Sequence, residues 1–309
     1  MSIRSRLKYY LNWTRAPYKR DLFLSTIAFV SFLLFTFLVC IANSYADRTN
    51  TNDLITDVSQ KYVAPDLIQN PASRWYRTTS LPDQLPDTLV GLASGLILLR
   101  GVTLGPWALT FFRRFMYTAS ALYFLRALTV SFTVIPTPFL TCPITFHSNL
   151  LYDALLLFFQ QRTACGDVFF SGHAIIFSLC ISVYMTYSRY YIINALVTLF
   201  CCFGMSTLLM SGYHYTIDVV IAFVLSILFW TLLHWFLWIP VLQGTILGQF
   251  FIYLDSSQLN SHPPHFLTEN SHVVDVVVLP QEPHLPISYP PPIMVQVSPP
   301  SSDSRIQIY

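Results

Sequence analysis

Charged side chains are scarce in this sequence: Asp, Glu, Lys and Arg together make up 10% of its 309 residues, against about a quarter in a soluble domain. With 54% hydrophobic and 16% aromatic residues, that scarcity excludes an ordinary soluble domain and describes a polytopic membrane protein. The net charge of +2 gives no electropositive footprint, so nucleic acid is excluded as a partner. Neither a P-loop nor a dinucleotide fingerprint occurs. No Cys/His cluster has metal-ligand spacing, so no metal and no cofactor is inferred. Six cysteines do not form a disulfide framework, because Cys40, Cys180, Cys201 and Cys202 lie inside apolar runs as fillers. Cys142 and Cys165 fall in one outer region, where an oxidising compartment would permit a bridge.

What the chain has in abundance is long apolar runs, near 22–42, 87–107, 115–136, 168–187, 190–211 and 214–239. Each approaches the ~20 residues that a helix needs to cross ~30 Å of hydrocarbon. The expected fold is all-α, with six transmembrane helices. Arg100, Gly101, Gly105 and Pro106 interrupt the second run, for which a shorter span ending near Leu99 is the alternative. The first twenty residues hold Arg4, Arg6, Lys8, Arg15, Lys19 and Arg20 and no acid, which places the N-terminus in the cytosol. Arg113 and Arg114 then fall in the second cytosolic turn and Arg189 in the third. The stretch 43–86, with Asp47, Asp53, Asp57, Asp66 and Asp83, and with Asp87 at its edge, faces outward, and even parity returns the C-terminus to the cytosol. Three parts follow: a basic cytosolic arm at 1–20, a six-helix bundle at 21–239, and a cytosolic tail at 240–309. The proline-rich end of that tail cannot pack a core. Asn12-Trp13-Thr14 is the only glycosylation sequon and faces the cytosol in this topology.

Two strings stand apart from this apolar background: Cys165-Gly166-Asp167-Val168-Phe169-Phe170-Ser171-Gly172-His173, and His214-Tyr215-Thr216-Ile217-Asp218. An ionisable side chain at membrane depth costs roughly 2.5–3.5 kcal/mol, so a set with fixed spacing marks a functional site. The topology brings both strings to the outer ends of helices four and six. His214 and Asp218 are four apart and share a helix face, so the carboxylate can reach a ring nitrogen. Gly172 removes a side chain at a helix start, where free N–H groups and the positive dipole end favour an anion such as phosphate. Such a set can transfer a phosphoryl group without a metal. One histidine attacks phosphorus, a second donates a proton to the leaving alkoxide, and a carboxylate holds the nucleophile's tautomer. The spacing gives His214 the nucleophile role and His173 the acid/base role; an exchange of roles leaves the residues unchanged. His147 and His234 read as satisfied interfacial residues. Asp167 and Asp83 read equally well as helix caps or turn residues. A mid-helix arginine such as Arg126 must face a partner or a wet cavity.

Ser-Gly-His followed by His-x-x-x-Asp is shared with the lipid phosphate phosphatase superfamily. The fuller strings, Cys-Gly-Asp-x-x-x-Ser-Gly-His and His-Tyr-Thr-x-Asp-Val, resemble the sphingomyelin synthase family. Leu81-Pro82-Asp83-Gln84-Leu85-Pro86-Asp87 is similar to that family's Pro-Leu-Pro-Asp segment, with Ser80 where the first proline would stand. Arg113-Arg114-Phe115-Met116-Tyr117, continuing through Tyr123, Arg126, Thr129, Thr133 and Pro136, resembles its Arg-rich third-helix motif. The resemblance implies an enzyme of the Golgi or plasma membrane with its active site on the luminal or extracellular side. Such an enzyme moves phosphocholine from phosphatidylcholine to the primary hydroxyl of ceramide and releases diacylglycerol. It further implies His173, His214 and Asp218 as the catalytic triad, with Asp167, Ser171, Arg126, Asp83 and Tyr215 as substrate-binding candidates. Leu208 stands where the phosphatase superfamily has an arginine, six residues before the second histidine. A diester carries one negative charge and a monoester nearly two, so the loss of a cation favours transfer from phospholipid over dephosphorylation. Ala174 replaces the family's usual threonine, and a phosphoethanolamine or phosphoinositol headgroup stays open as the alternative, as does a phosphatase. The expected partners are lipid substrates, with a homo-oligomer left open.

Overall fold

Each of the six apolar runs becomes a helix. The computed structural model describes residues 17–53, 66–79, 82, 84–133, 147–162, 164 and 169–255. These belong to a unit spanning Met1–Asn270; a second unit, Ser271–Tyr309, lies outside the described residues. Asp83, Asp167, Cys142 and Cys165 also lie outside them.

Helix α1 (Pro17–Asp53) runs for 37 residues, about 55 Å at 1.5 Å per residue, and so outreaches the hydrocarbon layer. A short helix, α2 (Gln69–Thr78), precedes α3 (Leu85–Thr103). Pro86 and Asp87 in the first turn of α3 suit a helix start, where a missing N–H costs nothing and a carboxylate meets the positive dipole end. Arg100 does not interrupt this helix, because its guanidinium donates to the Tyr187 carbonyl and, at 3.2 Å, to Thr103 Oγ1. The chain turns only at Gly105, whose φ of 61° suits glycine. Then follow α4 (Ala108–Phe132), the nine-residue α5 (Leu150–Phe158), α6 (Gly172–Tyr187), α7 (Tyr191–Met210) and α8 (Thr216–Trp238). Two last helices, α9 (Pro240–Gln243) and α10 (Ile246–Asp255), fold back against α8. The tail expected from residue 240 therefore has a packed beginning.

Among the described residues four helices are long and apolar enough to cross a membrane: α1 over Arg20–Thr49, α3, α7 and α8. The other two expected spans are helical but of different character. Helix α4 carries Arg113, Arg114 and Arg126, all buried. Helix α6 has 16 residues, about 24 Å, because Ser171 caps it three residues after the apolar run begins. Its Ile175, Phe177, Leu179, Cys180 and Val183 are fully buried, so protein rather than lipid surrounds it.

Cross-helix pairs fix the directions. Asp21 meets Arg113, Phe32 meets Tyr123 and Phe35 meets Phe124, so α1 and α4 run parallel. Arg126 donates to the Phe170 carbonyl just before α6, and Arg114 donates at 3.2 Å to Tyr187 Oη at its end, so α4 and α6 are antiparallel. Asp87–His173 and Tyr184–Leu96 set α3 parallel to α6, as Trp230–Thr186 sets α8. Helices α4 and α6 thus point in opposite directions, and the starts of α3, α6 and α8 share one end of the bundle. Between α6 and α7 the Phe177 ring fills the space that a side chain at Gly204 would take.

Several of the buried charges are paired. Arg162 Nη2 lies 2.7 Å from Asp47 Oδ2 and 2.9 Å from Asp153 Oδ2, tying the end of α5 to α1, and Ser44 Oγ donates to the same Asp153 oxygen at 2.5 Å. Arg113 and Arg114 do not lie in a solvated turn. They sit in the first turns of α4, Arg113 3.4 Å from Asp21 and Arg114 in a two-point bond of 2.8 and 2.6 Å with Asp255 at the end of α10. His234 is satisfied as expected, its Nδ1 2.8 Å from the Trp230 carbonyl and its Nε2 3.1 Å from Tyr187 Oη.

Candidate active site at the starts of α6 and α8

Ser171 is the N-cap of α6: its backbone is extended and its hydroxyl oxygen accepts the Ala174 N–H at 3.2 Å. The cap puts His173 in the first helical turn, at the positive end of the dipole. Gly172 between them leaves room for Arg126, since a Cβ there would stand 2.8 Å from its Nη1 and the guanidinium would have to shift. Arg126 is buried, and its guanidinium donates to the Phe170 carbonyl. The mid-helix arginine of α4 thus lies directly beneath the Ser-Gly-His turn.

His214 belongs to the turn between α7 and α8. Helix α7 ends at Met210, and Gly212 with φ 79° reverses the chain. Tyr215 is the N-cap of α8. Asp218 is fully buried in the first turn of that helix, where its Oδ2 accepts the Tyr215 N–H at 3.0 Å. The Ser171 N–H donates to the Asp218 carbonyl at 3.4 Å, which fastens the two helix starts together. In consequence the His173 and His214 rings face each other, with centroids 6.3 Å apart and planes inclined at 56°. His214 is 5% exposed, whereas the His173 side chain is 32% exposed. One ring is sheltered and the other is partly open.

Five of the eight expected site residues, His173, His214, Asp218, Ser171 and Tyr215, gather within these two helix starts, and Arg126 lies against them. Asp83 and Asp167 fall outside the described residues. The carboxylate contact drawn for Asp218 is the one to the Tyr215 N–H, which holds the turn.

Two carboxylates named in the sequence as outward-facing were not among the expected site residues. Asp87, in the first turn of α3, places Oδ1 2.8 Å from His173 Nε2. Its signal was present: Leu85-Pro86-Asp87 repeats Leu81-Pro82-Asp83, and a proline followed by an acid marks a helix start. Asp66 accepts four hydrogen bonds, from Ile68 N and Gln69 N at 2.9 Å each, from Thr216 N at 2.7 Å and from Thr216 Oγ1 at 2.8 Å. Burial by itself would raise this carboxyl. The N–H groups of Gln69, Thr216 and Ile68 and the Thr216 hydroxyl outweigh burial and hold it below the usual 3.8. No local pattern predicts a contact between residues 66 and 216. Among the described residues no group of three or more His, Cys, Asp or Glu is placed to hold a metal ion.

Three helix N-termini, two facing histidines and a buried arginine make a surface suited to an anion with a transferable phosphoryl group. Residues 164–235 match the protein family described as PAP2 superfamily C-terminal. The chain is similar to a Caenorhabditis elegans protein provisionally named phosphatidylcholine:ceramide cholinephosphotransferase 3, with 26% identity over 66% of this chain and 62% of the relative. It is also similar to phosphatidylcholine:ceramide cholinephosphotransferase 1 of the same worm, with 28% identity over 51% of this chain and 40% of the relative. The same-numbered enzyme of Gallus gallus shares 30% identity over 44% of this chain and 37% of its own length. The chain spans less than two thirds of each of these relatives. The resemblance to the sphingomyelin synthase family drawn from the histidine motifs is thus found again in matches that cover 44% to 66% of this chain.

Proposed function

We propose that this chain is a membrane-embedded ceramide phosphotransferase that moves phosphocholine from phosphatidylcholine to ceramide, giving sphingomyelin and diacylglycerol. The observation that carries the reading is the pair of histidines 6.3 Å apart on the joined starts of α6 and α8, with Asp87 on one of them. Rings this close can both reach one phosphoryl group, one through a nitrogen turned to phosphorus and the other through a nitrogen turned to a phosphorus-bound oxygen.

In this mechanism a His214 ring nitrogen attacks phosphorus. The bond from phosphorus to the diacylglycerol oxygen breaks, and His173 gives that oxygen a proton. The phosphocholine is then held on His214 through a P–N bond. His173, now neutral, takes the proton of the ceramide primary hydroxyl as its oxygen attacks phosphorus and the P–N bond breaks. Asp87 orients the His173 ring through Nε2, and Asp218 holds the turn that presents His214. Arg126 supplies positive charge beneath the helix start that receives the phosphodiester. Leu208 is fully buried and apolar, so the cation expected there for a monoester has no counterpart at that position, which supports a diester substrate. The reading extends to a six-span bundle over 21–239 with the basic arm and the tail in the cytosol and the site on the luminal or extracellular side of Golgi or plasma membrane. Phosphoethanolamine or phosphoinositol would use the same chemistry.

The test is reconstitution of the full chain in phosphatidylcholine vesicles with fluorescent ceramide, resolving the lipid products. A sphingomyelin product that disappears in His214→Ala and His173→Ala supports the reading. Phosphate release from phosphatidic acid with no ceramide product would transfer the chain to the phosphatases.

A further inference from the structure

The turn carrying His214 is buttressed from outside the bundle. Gly212 lies against α2, where a Cβ would stand 3.3 Å from Gln69 Nε2 and 3.7 Å from Ser73 Cβ. Gln69, Ser73 and Tyr76 form the buried face of α2, and the Tyr76 hydroxyl donates to the Pro82 carbonyl at 2.5 Å, which binds the far end of α2 to the approach to α3. At its near end stands Asp66. One oxygen of its carboxylate takes the first two amides of α2, and both oxygens take the amide and hydroxyl of Thr216, the first residue of α8. Thr216 is two residues beyond His214. On the other side of the same turn Asp218 holds the Tyr215 amide. Two consecutive backbone amides after His214 are thus clamped by two carboxylates that come from opposite directions.

The two clamps differ in kind. Asp218 is local to α8 and would form in an isolated helix start. Asp66 is 150 residues away from Thr216 in sequence, so its bond forms only when α2 is docked on the α7–α8 turn. A dipeptide held at one amide can still rotate about the next, whereas holding both fixes the plane of the peptide that leads back to the histidine.

We propose that Asp66 is a positioning residue for His214: by bonding Thr216 it makes α2 part of the machinery that sets the distance between the two histidine rings. The assignment deepens the phosphotransfer reading and rests on it for its catalytic meaning. Its geometric content stands apart from any substrate. The outward face of α2 bears Ile68 and Trp75, with Leu67 just before it, all well exposed. Disturbance of α2 therefore reaches His214 through Asp66 without passing through the transmembrane core.

The experiment uses the full chain in phosphatidylcholine vesicles and compares wild type with Asp66→Asn, Thr216→Val and Thr216→Ser. Asp66→Asn replaces one acceptor oxygen by a donor. Thr216→Val removes only the hydroxyl bond and leaves the cap of α2 intact, which covers the case in which the Asp66 variant fails to fold. Ceramide transfer is expected to fall by about tenfold to a hundredfold in kcat, with KM for ceramide within about twofold, as for a misplaced group that still lets substrate bind. Thr216→Ser, which keeps the hydroxyl, restores what Thr216→Val loses. Diethyl pyrocarbonate labelling, read by mass spectrometry, gives a second measure that needs no turnover. His214 is expected to react on the order of fivefold faster in Asp66→Asn and Thr216→Val while His173 keeps its rate, because only the His214 turn is loosened. Equal His214 labelling in folded wild type and both variants would overturn the proposal, as would parallel acceleration of both histidines, which reports general loosening. If wild type transfers no headgroup, the functional reading fails, and the labelling still decides the role of Asp66.

Discussion

His173 Nε2 and Asp87 Oδ1 stand 2.8 Å apart and join the first turn of α6 to the first turn of α3. The Asp87 side chain is 54% exposed, so the pair contributes little to folding, and exposed pairs in general contribute about 0–1 kcal/mol. Its consequence lies in the direction of the ring. Fixing one imidazole nitrogen determines where the other points, and a histidine that exchanges protons with a lipid oxygen must point at it.

Asp87→Asn and Asp87→Ala are therefore expected to lower kcat by about a hundredfold, within the range that general acid–base groups contribute, while the unfolding temperature stays that of wild type. Transfer assays on both variants, alongside thermal unfolding in detergent, check this. Wild-type turnover in Asp87→Ala would leave His173 with no need of the carboxylate.

Gly172→Ala sets a methyl 2.8 Å from Arg126 Nη1. The guanidinium is buried and bonded to the Phe170 carbonyl, so it cannot retreat freely, and overpacking of this sort costs about 1–3 kcal/mol. The cost should shrink when Arg126→Ala is made in the same chain, because the methyl then has room. A double-mutant cycle measured by chemical unfolding reads the coupling; simple additivity would mean that the two groups do not press on each other.

The apolar runs disclosed the main helices because a membrane span demands length and continuity. The same feature hid α2 and α5, which are ten and nine residues long and fall below any search for spans of about 20. The convergence of His173 and His214 was legible, since alternating direction alone brings the second string to the same end as the first. Register was harder: two Leu-Pro-Asp strings, four residues apart, offer two aspartates, and only the packing of α3 along α6 selects Asp87 as the partner of His173. Arg113 and Arg114 read as residues of a solvated turn because their partners, Asp21 and Asp255, are remote in sequence. The Asp66–Thr216 bond was invisible for the same reason. A side chain that satisfies a distant backbone amide leaves no periodic or compositional trace.

Arg162 offers a test of the buried charge that fastens α5 to α1. Its Nη2 serves Asp47 and Asp153 together, and both carboxylates are fully buried. Arg162→Leu leaves two buried carboxylates beside each other with their common cation removed, and loss of one partner of a buried pair costs about 3–5 kcal/mol. Unfolding in detergent should show a loss of that size. A change under about 1 kcal/mol would mean that water or another cation replaces the guanidinium.

Stability should depend on pH through Asp66 in a direction that its bonds determine. The folded carboxyl titrates below the usual 3.8, so the folded state holds its proton more weakly than the unfolded chain does. The resulting stabilisation is complete above the unfolded value and is lost as pH falls through the lower, folded one. Between about pH 5 and pH 8 the stability difference between wild type and Asp66→Asn is therefore expected to be constant, with wild type the more stable. Below 3.8 the difference shrinks, because wild type then loses the charge that the variant never had. Chemical unfolding of both proteins across this range decides the matter. A gap that instead widened with acid would mean that the neutral carboxyl, and not the carboxylate, is the form that binds Thr216.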